Sequence, residues 1–195
     1  MVDVILLISG SSLRMGKEKA ILSFTKDKNF VSNILDNYLR LPDCRIYVIV
    51  NTENEVQIKQ TCKKYQNKIK YITNSNPEKG RIWSILTGLE NIKIGRGVFI
   101  QNIDNPFVDT ELLNGMLSNY KSDSYIVPQF NGKNGHPLLL GADLVQELKE
   151  KRSRIADLKS FLSKQKKNCF ISQNQKILAN INCPEDYLKW FPNLV

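Results

Sequence analysis

The chain has 195 residues, of which 42% are hydrophobic and 24% charged, and its formal net charge is +9. These values exclude a disordered or fibrous chain and predict one globular domain, residues 1–195, large enough to bury a core. No apolar run is long enough to span a membrane. The short apolar start, Val2–Ile8, contains Asp3 and lacks the basic segment of a signal peptide. We therefore expect no membrane partner and a cytoplasmic location.

Short runs rich in isoleucine and valine recur along the chain with little alternation, which is typical of buried parallel strands. They are Val4–Ile8, Arg45–Val50, Lys68–Ile72, Val98–Ile103 and Ser124–Val127. Helical patterns lie at Val31–Leu41, at Glu53–Tyr65, around Ile82–Leu89 and after Asp109, which is placed to cap its helix. The alternation predicts an α/β domain with a mainly parallel sheet.

The loops that follow three of these strands carry polar residues. Ligands of parallel sheets bind beyond the carboxyl ends of the strands. We therefore expect the loops at Gly10, at Thr73–Gly80 and at Asp104 to meet at one edge of the sheet.

Charge and cysteine spacing bear on which partners the chain has. Lys149–Lys167 holds eight basic residues against two acidic ones, with Phe161 as its single aromatic residue. Because single-stranded nucleic-acid sites interleave aromatic and basic residues, a solvated helix face is favoured here over a nucleic-acid site.

The four cysteines, Cys44, Cys62, Cys169 and Cys183, do not have the spacing of zinc ligands. We therefore expect them to be free thiols in a reducing compartment.

The first loop reads SGSSLRMGKEKAIL from Ser9 to Leu22. Its glycines allow backbone N–H groups to turn toward a phosphate, and Arg14 and Lys19 add full positive charges. The spacing matches neither the P-loop nor the GxGxxG fingerprint. Taken alone, the pattern indicates either a phosphate-binding loop or a charged surface turn.

Two later positions have similar alternatives. Ser84 lies on a different helix face from Ile82 and Ile85, so it is either a nucleotide contact or a solvent-facing serine. Asp104 is the first acidic residue after a buried strand, so it is either a Mg²⁺ ligand beside the phosphate loop or a turn residue before Asn105-Pro106. His136 lies at the tip of a glycine-rich connection, where a lone histidine is usually structural.

Taken in series, the motifs resemble the nucleotidyltransferases related to molybdenum-cofactor enzymes, most closely the molybdenum cofactor cytidylyltransferase branch. The family pattern G-x-S-x-R-M-G-x-x-K is matched by Gly10, Ser12, Arg14, Met15, Gly16 and Lys19. Its N-P…G…S…G-L pattern is matched by Asn76, Pro77, Gly80, Ser84, Gly88 and Leu89. Its later patterns are matched by Asp104, Pro106, Phe107 and Val108, by Gly135, His136 and Pro137, and by Pro184, Glu185, Asp186 and Tyr187.

The resemblance implies a three-layer, Rossmann-like α/β/α fold of the nucleotide-diphospho-sugar transferase type. It implies that catalysis depends on Arg14, Lys19 and Asp104, and that Gly135 and His136 bind the acceptor. The nucleotide site would comprise Ser9, Gly10, Ser11, Ser12, Arg14, Lys19, Asn76, Gly80, Ser84 and Asp104. Mg²⁺ would be held by Asp104 and by Asn182, which stands where the family commonly has aspartate; the alternative for Asn182 is a helix cap before Pro184.

The implied reaction transfers a nucleoside monophosphate, with CMP preferred, from a nucleoside triphosphate to a phosphorylated acceptor such as molybdopterin, and releases pyrophosphate. Two alternatives stay open. The acceptor can instead be a sugar phosphate or another small-molecule phosphate. Since asparagine replaces the usual aspartate at position 182, the chain can also be a catalytically weak nucleotide-binding regulator.

Overall fold

A computed structural model of the protein describes residues 1–10, 13–93 and 95–194. Within these residues, eight strands form one sheet: β1 Val2–Leu7, β2 Cys44–Asn51, β3 Ile69–Asn74, β4 Gly97–Asn102, β5 Ser124–Phe130, β6 Lys133–Asn134, β7 Leu138–Gly141 and β8 Lys166–Ile171. The α-helices are α1 Phe30–Tyr38, α2 Glu55–Thr61, α3 Arg81–Glu90, α4 Thr110–Ser118, α5 Ala142–Glu150, α6 Leu158–Leu162 and α7 Pro184–Trp190.

The strand order is β3-β2-β1-β4-β7-β5-β6, and β8 pairs with β5. Strands β3, β2, β1 and β4 run parallel to one another, so their carboxyl ends meet at one edge. Strand β7 runs antiparallel between β4 and β5, whereas β8 is parallel to β5. The predicted mainly parallel α/β sheet is therefore confirmed.

Helices cover both faces of the sheet because successive side chains of the buried strands point to opposite sides. Val4 and Leu6 of β1 belong to one apolar cluster with residues of α1 and α4, whereas Ile5 belongs to a second with residues of α3 and α5. The result is the three-layer arrangement implied by the resemblance. None of the helices in the described residues has the length and apolarity needed to cross a bilayer.

The sequence predicted the first five strands to within a few residues at each end, and it placed Asp109 correctly. The Asp109 side chain accepts a hydrogen bond from the Leu112 N–H at 2.8 Å and caps α4. The expected helix Glu53–Tyr65 is shorter, since α2 covers Glu55–Thr61 and a 3₁₀ turn follows.

The prediction of one solvated helix face for Lys149–Lys167 was wrong. The segment contains the end of α5, the whole of α6 and the start of β8. Asp157 interrupts helical continuity because its extended backbone and side chain cap α6, accepting from the Ser160 N–H at 2.8 Å. The basic side chains therefore lie on several elements.

The segment before α7 is attached to the end of β4. The Ile181 N–H donates to the Asp104 carbonyl at 2.8 Å, and the Asn105 side chain donates to the Ala179 carbonyl at the same distance. Stacked and tilted aromatic contacts pack Tyr187 and Phe191 of this region against Phe30. The C-terminal region thus packs both against α1 and against the segment that follows β4.

Candidate nucleotide-binding site

A cavity of about 630 Å³ lies at the edge where the parallel strands end. Seven of the predicted site residues line it, from four separate segments of the chain: Ser9, Gly10, Lys19, Gly80, Ser84, Asp104 and His136. This volume falls within the range of small-molecule and cofactor sites. The parallel sheet accounts for the convergence, because the residues that follow β1, β3 and β4 emerge at the same edge.

Lys19, Asp104 and Asn182 form the charged centre of the site. The Lys19 ammonium donates to the Asn182 side-chain oxygen at 2.9 Å and lies 3.7 Å from the Asp104 carboxylate. The side chains of Lys19 and Asp104 are only 12% and 25% exposed, so water screens their interaction weakly. The predicted lysine, aspartate and asparagine are thus brought together.

Asp104 has the properties of a carboxylate that lacks a full set of partners. Burial raises its pKa, while Lys19 and Arg81 act in the opposite direction. Among the described residues, no hydrogen-bond partner is found for the buried Asp104 Oδ1 atom. This oxygen is therefore available to a ligand that supplies a cation or a proton donor.

The donor set fits a Mg²⁺ ion whose coordination is completed by substrate. Protein sites for Mg²⁺ typically supply one or two carboxylates and leave the rest to water and phosphate oxygens. Asp104 supplies one carboxylate. The Asn182 side-chain oxygen accepts a hydrogen bond from Lys19, so it can bind a metal only when Lys19 has moved away. The described residues contain no cluster of three or more acidic, histidine or cysteine side chains, so substrate would have to complete the site.

Ser84 is neither solvent-facing nor isolated. It is 3% exposed, its hydroxyl lies 2.8 Å from the Ser9 hydroxyl, and it accepts from the Asn74 side-chain amide at 2.9 Å. These bonds join the ends of β1 and β3 to the first turn of α3. Gly80, with φ of 82° and ψ of −178°, precedes that helix in a conformation that is essentially restricted to glycine.

Several predicted residues lie elsewhere. Arg14 is exposed and does not line the cavity. Asn76 does not line it either, whereas Pro77 and Glu78 of the following 3₁₀ turn do. Gly135 packs against Ile177, where an added Cβ would lie 2.6 Å from a carbonyl oxygen, so its role in the structure is close packing. Ser11 and Ser12 lie outside the described residues.

Asn182 does not act as the cap of α7. The N-cap position is Cys183, and the backbone N–H groups of Asn182 and Cys183 both donate to Asp186 Oδ2, at 2.9 and 3.2 Å. The Asn182 side chain instead faces Lys19. The helix-cap alternative for this side chain is therefore wrong.

The sequence analysis missed further polar or charged residues that line the cavity: Asn51, Glu53, Glu78, Arg81, Asn102, Asn105 and Asn180. Arg81 is the most consequential of them, because it begins α3 and adds a second cation near Asp104. Burial lowers its pKa, although Asp104 favours the charged form. The position of Arg81 directly after Gly80, ahead of the apolar helix pattern, was the signal available in the sequence.

His136 is a neutral side chain at the edge of the cavity. Burial, with a smaller contribution from Arg81, lowers its pKa to about 4. No partner for its buried Nδ1 atom is found in the described residues. At neutral pH the imidazole is uncharged and can exchange one hydrogen bond with a ligand.

The lowered pKa makes His136 a source of acid sensitivity. The unfolded chain protonates near pH 6.5 and the folded protein only near pH 4, so stability is lost as pH falls through this window. We expect His136→Gln to lose less stability between pH 7 and pH 4 than the parent, by up to about 3 kcal/mol at roughly 1.4 kcal/mol per pKa unit. Urea unfolding at both pH values measures this, and an equal loss in both proteins would contradict it.

Comparison with known proteins identifies the family of the chain. The sequence profile of the MobA-like NTP transferase domain matches residues 4–169. The chain belongs to this family. It is 27% identical, over 95% of its length and 92% of the relative, to a probable molybdenum cofactor guanylyltransferase of Natranaerobius thermophilus.

Solved structures agree on the fold. A nucleotidyl transferase from Methanothermobacter thermautotrophicus matches with a TM-score of 0.79 and 16% identity, over 97% of this chain and 95% of that one. The 4-diphosphocytidyl-2C-methyl-D-erythritol synthase of Anaerococcus prevotii matches with a TM-score of 0.78 and 17% identity, over 99% and 95%. The protein is thus a nucleotidyltransferase of the MobA-like family with the nucleotide-diphospho-sugar transferase fold.

Proposed function

We propose that the protein transfers a nucleoside monophosphate from a nucleoside triphosphate to the phosphate of a molybdopterin-like acceptor and releases pyrophosphate. The observation that carries this is the meeting of Lys19, Asp104 and the start of α3 at one cavity, in a chain of the MobA-like family. The molybdenum cofactor relative supports the acceptor class.

The side chains suit attack by a phosphate oxygen on the α-phosphorus. A phosphate nucleophile is already ionised near neutral pH, so the site needs no strong general base, in keeping with a neutral His136. The reaction then depends on positioning and charge neutralisation. Lys19 stabilises the triphosphate and the departing pyrophosphate, and Arg81 with the N-terminal turn of α3 provides a second cationic position.

Asp104 is the proposed carboxylate contact of Mg²⁺, and Asn182 its proposed amide contact. When bound, the ion neutralises phosphate charge. Ser84 and Gly80 form the part of the cavity proposed for the nucleoside, and His136 lies in the part proposed for the acceptor. His136 can offer the acceptor a hydrogen bond without adding charge.

Two nucleoside triphosphates, CTP and GTP, have support as the donor. The resemblance to the cytidylyltransferase branch favours CTP, whereas the relative from Natranaerobius thermophilus is named for guanylyl transfer. We therefore expect CTP or GTP, and not ATP or UTP, to be the productive donor.

The test is pyrophosphate release with each of the four triphosphates, Mg²⁺ and molybdopterin, with sugar phosphates as alternative acceptors. Pyrophosphate release that requires molybdopterin and is restricted to CTP or GTP supports the proposal. Release with a sugar phosphate alone would reassign the acceptor. A rise in melting temperature with a triphosphate but no pyrophosphate from any acceptor would indicate the regulator instead.

A further inference from the structure

We infer that Lys19 holds the metal position of the free protein as a substitute cation, and that Asn182 is the positioning residue that keeps it there. The inference rests on the proposed function in one respect, namely that Asp104 is the metal contact. It adds that metal and triphosphate each raise the affinity of the protein for the other, because both are bound best when Lys19 has left the metal position.

The geometry places one ammonium group between both proposed metal contacts. Lys19 Nζ is 2.9 Å from the Asn182 side-chain oxygen and 3.7 Å from Asp104 Oδ2. A divalent ion bound by the same two side chains would be next to this ammonium group. Two cations at such a separation in a poorly screened site repel each other strongly, so Lys19 must leave before the ion can bind well.

Asn182 presents its amide oxygen from a fixed backbone. Its own N–H donates to Asp186 Oδ2 at 2.9 Å, and the preceding N–H, of Ile181, donates to the Asp104 carbonyl at 2.8 Å. The asparagine is therefore held beside Asp104 by bonds that do not involve Lys19. Such a side chain directs the long, flexible lysine toward the carboxylate.

The neutral amide also makes the arrangement reversible. An asparagine orients the ammonium group through a hydrogen bond but adds no charge to retain it, whereas a second carboxylate would bind it more strongly. A triphosphate entering the cavity offers Lys19 several anionic oxygens. Lys19 can then transfer to phosphate and leave Asp104 and Asn182 for the ion.

This exchange makes metal and triphosphate binding cooperative. A ligand that draws Lys19 away raises the affinity for the ion, and by reciprocity the ion raises the affinity for the ligand by the same factor. The free protein should therefore bind a divalent ion poorly, and removal of the Lys19 charge should relieve that restriction without any nucleotide.

The experiment is a titration of the nucleotide-free protein with Mn²⁺ alone, followed by electron paramagnetic resonance of the unbound ion. We expect Lys19→Gln to bind Mn²⁺ at least about tenfold more tightly than the parent. The matched control is Lys17→Gln, which removes the same charge from an exposed lysine of the same loop that does not line the cavity. Adding Asp104→Asn to Lys19→Gln should abolish the gain.

An unchanged Mn²⁺ affinity in Lys19→Gln, or an equal gain in Lys17→Gln, would overturn the inference. Because no nucleotide or acceptor is present, either result is independent of whether the transferase reaction occurs.

A second measurement on the intact lysine tests Asn182. A hydrogen-bonded lysine ammonium group gives an observable ¹⁵N signal, which Lys19→Gln would assign by its disappearance. We expect Asn182→Ala to shift or broaden that signal, and Mg²⁺ added together with a triphosphate to do so in the parent. A Lys19 signal unaffected by Asn182→Ala would remove Asn182 as the positioning residue.

Discussion

Asp104→Asn should lower turnover by about 10²–10³-fold or more while leaving the fold intact, because it removes the only charged ligand proposed for the metal. The change is nearly isosteric, and its effect should fall mainly on turnover at saturating Mg²⁺. The measurement is the rate of pyrophosphate release. Asp109→Asn is the matched control: it makes the same replacement five residues later, at a helix cap that asparagine fills well. Parent-like turnover in Asp104→Asn would remove Asp104 from the site.

Stability should move in the opposite direction to activity. Burial raises the pKa of Asp104 in the folded protein above its unfolded value, so its contribution to stability is present at low pH and is lost as pH rises through the folded pKa. At pH 7 the ionised carboxylate is therefore unfavourable for folding, and Asp104→Asn should melt at the same temperature as the parent or higher. A clearly lower melting temperature would mean that the lost turnover reflects misfolding.

Lys19→Gln should weaken triphosphate binding strongly and nucleoside binding little, because the ammonium group meets phosphate and not the base. Hydrogen bonds between charged groups typically contribute about 1.5–3 kcal/mol, so we expect a loss of roughly ten- to a hundredfold for the triphosphate. Calorimetry with CTP, GTP and the matching nucleosides measures both affinities. Equal losses for the two kinds of ligand would contradict the assignment.

Two further variants, Lys17→Gln and Arg14→Ala, provide comparisons for the effect of Lys19→Gln on triphosphate affinity. Lys17→Gln should leave triphosphate affinity near the parent value, since Lys17 does not line the cavity. Arg14→Ala is expected to weaken triphosphate binding less than Lys19→Gln does, because Arg14 is exposed and also lies outside the cavity lining. A larger loss in Arg14→Ala than in Lys19→Gln would show that Arg14 contacts the bound triphosphate.

The parallel half of the fold could be predicted because its strands are continuous apolar runs and its helices carry clear apolar faces. The same logic placed Gly10, Gly80 and Asp104 at one edge. In the other half of the sheet β5 was predicted, whereas β6, β7 and β8 were not. Strand β7 is apolar and buried, but its four residues are too few to be recognised as a strand. Strand β8 begins with basic residues and is partly exposed, so it lacks the hydrophobic pattern of a buried strand.

Side-chain roles were less predictable than positions. Ser84 could be placed on its helix, but its burial depends on Ser9, which follows β1, and on Asn74 at the end of β3. Asn182 was predicted as a metal contact on the resemblance alone, and its bond to Lys19 depends on a docking of distant segments that has no local sequence signal. Whether the predicted residues bind nucleotide, acceptor or Mg²⁺ stays a prediction.

The hydrogen bond between Lys19 and Asn182 joins residues 163 positions apart. The backbone hydrogen bond from Ile181 to Asp104 holds the same C-terminal segment against the sheet. During synthesis on the ribosome, strands β1 to β4 leave the exit tunnel long before Asn182 does. A nascent chain can thus form the phosphate side of the cavity while the opposite wall is still absent. Nucleotide would then stabilise the protein mainly at the last step of its maturation, when the segment before α7 docks onto the sheet.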